Sequence, residues 1–445
     1  MTNPLKKTYL SNNKRLPFHN LDINAWQNLA MVALLGTYIT QIIWSMLLEG
    51  PLASSVGLDF RAIWSAGYIA NTYGYADVYK LTLLTQVQKL IVPLTNYRSV
   101  FEVVPVPFLP IFIPVFQVFS LIPPVPSFYI WSIFNLVGFF FYIRFFLRRL
   151  EVQNWRRLTI MGMLAFPSFL NLFWGQVNLL LLVCVGEFIR NILDKREFRA
   201  GLWLGGLILK PQLLILIGPA MLLQRKWKLL GGFSSTIGVT LVSSLLLGKL
   251  SSLINLASLL TKYVPGIASN AQENMTNWRM VGERLSIFLP ITISWGITAI
   301  GIAGTTLITF LLWRKPISLP SPTFLIAFTG TLAATMAVTW HSHIHMAMVL
   351  IPPILYLYDR QVFPRKLFNW WMLSVPFIVL FLTLPVKLLN LDRYNTLAGL
   401  TGFCMLIFNL IILVWAWRVN NYRTPSLINV SDQDSKLEPK NRSLL

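Results

Sequence analysis

The chain has 445 residues, 55% of them hydrophobic and only 12% charged, and a mean hydropathy of +0.61, which excludes a soluble core beneath a charged shell. Its formal net charge of +21 sits in short basic clusters between apolar runs, such as Arg148 with Arg149, Arg156 with Arg157 and Arg225 with Lys226. Clusters placed in this way orient membrane helices and meet anionic headgroups, and they argue against a nucleic-acid surface.

In chain order, residues 1–26 are polar and basic and are expected to form a cytoplasmic segment ahead of a retained first helix. Apolar runs then predict spans at 27–48, 103–121, 126–147, 157–173, 177–193, 199–223, 229–248, 286–313, 321–339, 344–358, 367–387 and 396–418. The expected fold is therefore an all-α integral membrane bundle of about 12 transmembrane helices within a body at 27–418. Residues 419–445 read as a cytoplasmic, disordered tail. The cysteines, Cys184 and Cys404, lie within apolar runs and form neither a disulfide framework nor a CxxC pair.

Two places break the pattern: the proline-rich VVPVPFLPIFIPVF and the LKPQL that carries Lys210 and Pro211. With Lys6, Lys7, Lys14 and Arg15 holding the N-terminus inside, residues 49–102 form the first extracytoplasmic loop. Counted back from the C-terminal basic clusters, the loop at 249–285 and TWHSHIH fall on the same side. A simple 12-span count nevertheless puts the arginines of RFFLRRLEVQNWRR outside, against the positive-inside rule. The conflict disappears if LKPQL turns back and the proline-rich segment is re-entrant.

Few acids remain for an outward site: Glu49, Asp59, Asp77, Glu102, Glu273, Glu283 and Asp392. Asp59 stands out, because it precedes an aromatic, small-residue stretch that reads as an interfacial helix over about 60–72. A partly desolvated carboxylate there could serve as general base, or equally as the N-cap of that helix or an ion-pair partner of Arg61. Lys210 lies inside an apolar run, where a cation needs a partner such as a phosphate, or a hydrated half-helix end. Gln176 and Asn178 in WGQVN could bind a sugar or join helices. Arg279 and Arg284 suit a phosphate, and Asn274 to Thr276 matches a glycosylation acceptor.

Three of the four histidines, His341, His343 and His345, follow Trp340 in one row. No HExxH is present, and the row is too short for a di-iron ligand set. The alternatives are imidazoles hydrated at a helix end, or groups that orient a carboxylate or donate to a developing anion.

LDFRAIWSAG with ADVYK, the proline-rich helix, FPSFLNLFWGQVNLLLL, AGLWLGGLILKPQLLIL with QRKWK, the NMTNWR loop and TWHSHIH together resemble glycosyltransferase family 87, of the GT-C class. The resemblance spans about residues 30–360. It implies an inverting enzyme that transfers a sugar, mannose first, from a polyprenyl-phosphate donor to a lipid or glycan hydroxyl on the extracytoplasmic face, without a required cofactor. In that reading Asp59 takes the place of the base, and His343 or His341 the place of a histidine that many members write as SWDHH. His345 is then helix support one turn down. Lys210 would meet the donor phosphate, with Arg61, Gln176, Asn178, Arg279, Arg284 and Trp340 as further substrate contacts. A transporter or flippase for a lipid-linked or anionic substrate is the rival, although no inverted repeat is evident.

Overall fold

The computed structural model describes residues 23–48, 50–52, 56–92, 103–263, 275–374 and 396–422. Glu49, Glu102, Glu273, Asn274 and Asp392, the N-terminal segment before residue 23 and the tail after residue 422 lie outside them. The described residues are helical, apart from loops and one isolated bridge between Met275 and His343. Five of their helices are long and apolar enough to cross a membrane, with windows at Ala25–Leu47, Pro124–Arg149, Trp227–Thr261, Ile291–Trp313 and Leu400–Asn421. Of the other expected spans, 367–387 passes outside the described residues after Ser374, and the rest are shorter or broken.

Helix α1 (Ile23–Leu48) leads into a loop that holds α2 (Leu58–Thr72), a 3-10 turn and α3 (Leu81–Ile91). The expected helix after Asp59 is there, but most of α2 is buried rather than laid on a surface. Gly67 explains how: a methyl at that position would collide with the backbone carbonyl of Phe116 in α4 (Ile113–Phe119), so α2 and α4 cross at backbone contact. Trp64 Nε1 donates to Ile122 O over 2.8 Å, and Tyr79 Oη to Phe108 O over 2.7 Å.

These contacts bear on which end of the bundle the arginines of RFFLRRLEVQNWRR occupy. Prolines at positions 105, 107 and 110 remove amide donors, so residues 103–109 run extended into the short α4 instead of forming a span. The segment stays beside α2 and α3, where Gln88 both donates to Val104 O and accepts from Val104 N. Helix α5 (Pro124–Arg149) therefore starts at this end and carries Arg148 and Arg149 to the other. There Arg157 Nη2, at the start of α6 (Trp155–Leu164), donates to Asn28 Oδ1 near the beginning of α1 over 3.2 Å.

Chain direction then alternates. α7 (Phe166–Trp174) follows α6 after a break at Ala165, whose extended ψ of 140 lies just ahead of the Phe166–Pro167 pair. α8 (Asn178–Leu193) returns to the basic end. α9 (Glu197–Gly205) climbs again, and the chain breaks at Lys210, held extended at φ −133 by the proline that follows it. α10 (Ile217–Leu223) then descends to Gln224 and Lys226. LKPQL thus turns back, and residues 197–226 form a hairpin with Lys210 at its tip.

Small residues fix the hairpin against α11 (Trp227–Ser258). A methyl on Gly201 would strike Leu229 O, and one on Gly232 would strike Phe198 O, so the two backbones touch. Helix α12 (Trp278–Leu285) precedes α13 (Ile291–Trp313), whose lower end accepts from Gln224 Nε2 at Trp313 O over 2.5 Å. Ser321 Oγ caps α14 (Pro322–Val338) by accepting from Phe324 N, and Trp313 Nε1 donates to Thr331 Oγ1 over 2.6 Å in the core. A 3-10 segment (Ile344–Leu350) and α15 (Ile351–Asp359) run back to the basic end, where Arg360 Nη2 donates to Leu150 O. α16 (Arg365–Asn369) and α17 (Thr396–Tyr422) complete the described elements.

Candidate active site

Four segments meet at the end of the bundle away from the arginine clusters: the start of α2, the α7–α8 junction, the hairpin tip and the histidine row. Gly57 lets α2 begin there. Its φ of 77 is left-handed, its amide donates to Phe173 O over 2.7 Å, and a side chain would run into Leu52. Gly57 holds the N-cap position, so Asp59 is not the cap; it sits in the first turn, where the helix dipole favours a carboxylate.

Gly175, at φ 74, ends α7, and a Cβ on it would touch Phe60. That close approach brings Gln176 beside Asp59. Gln176 Nε2 donates to Asp59 Oδ2 over 2.6 Å, and Lys210 Nζ donates to Gln176 Oε1 over 3.0 Å. On its far side Lys210 Nζ faces His345 Nε2 at 3.4 Å. Asp59 and Gln176 keep partial access, whereas Lys210 is 7% exposed and His345 only 3%. Lys210 does lie at the end of a half-helix, as the sequence allowed, but buried rather than hydrated.

Burial pushes the Asp59 carboxyl above its usual value, opposed by the Gln176 hydrogen bond and by the charges of Lys210 and Arg61. His341 Nε2 lies 3.1 Å from His343 Nε2, so one ring donates and the other accepts. Burial, with Lys210 and Arg279 nearby, pushes His341 down to about 4. Among the described residues no cluster of His, Cys, Asp and Glu side chains is arranged to hold a metal ion.

The expected residues thus divide. Asp59, Gln176 and Lys210 form one connected chain, and His345 joins it through Lys210. The sequence reading of His345 as helix support missed this because the row does not continue as a helix: His343 is extended, at φ −101 and ψ 161, and the 3-10 segment after it turns His345 inward. Trp174 seals His345 edge-on at 5.3 Å. Asn178 is fully buried, with its amide on His345 O at 3.2 Å and its own N–H on Asn171 Oδ1 at 3.0 Å. Asn171 also accepts the Gln176 amide through its carbonyl at 2.8 Å, so this unflagged residue orders the whole junction.

The remaining candidates lie around this chain. Arg61 is buried in α2, with Nη1 3.4 Å from Leu52 O. Arg279 is buried behind Trp340, its guanidinium 4.5 Å from the ring centre and its Nε 3.6 Å from Glu283 Oε1. Trp340 is half-exposed and stacks on Trp295. Arg284 lies in the last turn of α12, partly exposed. Asn277, also unflagged, caps α12 and donates to the carbonyls of Thr339 and Trp340, which ties the last outer loop to the histidine row.

A carboxylate restrained on one oxygen, a buried ammonium one amide away and neutral imidazoles alongside can remove a hydroxyl proton and receive an anionic group. Compared with known families, the chain matches the model of glycosyltransferase family 87 over residues 109–339, slightly more than half its length. Gln176, Lys210, Arg279 and Arg284 fall inside the match, and Asp59 and the histidine row outside it. No curated protein and no solved structure matches.

Proposed function

The chain belongs to glycosyltransferase family 87, and from that membership we propose that it transfers a sugar, mannose first among candidates, from a polyprenyl-phosphate donor to a hydroxyl of a lipid or glycan acceptor. The observation that carries this reading is the Gln176 amide bridging Asp59 Oδ2 and Lys210 Nζ, a base and a cation held one side chain apart. As the acceptor oxygen bonds to the anomeric carbon, the bond from that carbon to the phosphate oxygen breaks and its electron pair leaves with the polyprenyl phosphate. Asp59 takes the hydroxyl proton, and attack opposite the leaving group inverts the centre. Lys210 meets the growing phosphate charge, with Arg279 and Arg284 as further positive groups. Trp340, half-exposed beside Arg279 and Trp295, is the aromatic contact for the sugar or acceptor in this reading.

The reaction is assigned to the extracytoplasmic face. Arg148, Arg157, Lys226 and Arg360 share the end of the bundle opposite Asp59, and the positive-inside rule makes such an end cytoplasmic. The test is a panel of polyprenyl-phosphate sugars given to the purified enzyme in lipid nanodiscs with a cell-lipid acceptor extract. Release of polyprenyl phosphate together with a glycosylated product is the expected result. Failure with every donor would turn the reading toward a transporter or flippase.

A further inference from the structure

We infer that Gln176 is a positioning residue that couples the charge on Lys210 to the protonation and orientation of Asp59, rather than a contact for substrate. The inference deepens the proposed function and rests on Asp59 as its base.

Both ends of the amide are engaged within the protein: Nε2 on Asp59 at 2.6 Å and Oε1 on Lys210 at 3.0 Å. The sense of the amide follows from chemistry alone. An ammonium only donates and a carboxylate only accepts, so a flipped amide would fail at both contacts. The residue is also held by its backbone, through the Gln176 N–H on Asn171 O at 2.8 Å and the left-handed Gly175 before it.

The bond to Oδ2 restrains the carboxylate and, in the proposed reaction, leaves Oδ1 to take the hydroxyl proton. A cation on Oε1 polarises the amide and strengthens the N–H that Gln176 offers to Asp59. A phosphate that draws Lys210 away would weaken that bond and make Asp59 the stronger base as the donor seats. A hydrogen-bonded link that needs no proton of its own suits this task, since it transmits charge without titrating.

Among the described residues, the charged groups that act on Asp59 are Arg61 on its own helix and Lys210 at the hairpin tip, with the His345 ring beyond Lys210 and the His341–His343 pair in the same row. The test leaves them all in place. Infrared difference spectra against pH are recorded on protein in nanodiscs, and subtraction of Asp59→Asn isolates the Asp59 carboxyl band. Gln176→Met keeps the length but neither hydrogen bond, and its Asp59 midpoint should rise by about one pH unit. Gln176→Glu replaces the donor by a second carboxylate and should raise it further.

An unmoved midpoint in both variants would overturn the coupling, even if their activity fell through lost packing. This result is separable from failure of the proposed function. Full transfer by Asp59→Asn would remove the base, yet the midpoint would still answer for Gln176.

Discussion

Lys210 Nζ stands 3.4 Å from Nε2 of His345, so a buried ammonium meets a ring nitrogen that can only accept from it. His345→Leu removes one of the two acceptors that Lys210 has among the described residues and should lower kcat/KM for transfer by roughly tenfold to a hundredfold. His345→Gln restores an acceptor and should recover part of the loss. Initial rates of both variants decide the matter, and wild-type rates in His345→Leu would leave His345 as packing.

Asp59→Asn keeps the shape and hydrogen-bonding capacity of the side chain but cannot take a proton at the operating pH. Transfer should fall by about 10²–10⁴-fold while melting in detergent stays close to wild type. Because burial raises the Asp59 carboxyl, the acid limb of the wild-type rate profile should lie above that of an exposed aspartate. A limb near pH 4, the value of an exposed aspartate, would contradict that environment.

His341 carries a different pH signature. Its value is about 4 in the fold against 6.5 for the free side chain, so the folded state binds the proton less well than the unfolded one. Its stability contribution is present in full above pH 6.5 and is lost as pH falls from 6.5 through about 4, with a ceiling of about 3 kcal/mol. Melting scanned across that window should show the loss, and His341→Gln should flatten it. Equal slopes in the two proteins would assign the loss to another group.

Gly201 tests the support beneath the lysine. Gly201→Leu places a side chain against Leu229 O and must part the hairpin from α11. Lower detergent stability and reduced transfer are expected together, by at least about 2 kcal/mol in the former. A Gly201→Leu protein with unchanged melting would show that the helices can separate without cost.

The long spans were plain in the sequence. α1, α5, α13 and α17 are continuous apolar runs, and hydropathy places them to within about five residues at each end. The broken ones were legible only as anomalies, because whether a proline or lysine in an apolar run kinks, ends or reverses it depends on the neighbours that satisfy the freed backbone. Asp59, Gln176 and Lys210 could each be picked out by residue type and place, but not their connection, which depends on left-handed turns at Gly57 and Gly175. His345 was hidden for a simpler reason. A row with period two reads as strand or helix, and the chain changes from extended at His343 to a 3-10 turn at His345.

A hairpin that enters and leaves by one face adds no crossing. The stretch from Glu197 to Lys226 does this, since Phe198 lies against Gly232 at its base while Lys210 reaches Gln176 at its tip. It therefore leaves the parity of the chain unchanged. In a bilayer this would carry Lys210 toward the Asp59 end without inverting α11 or any helix after it, and compartment reporters fused after Asp194 and after Arg225 should give the same answer.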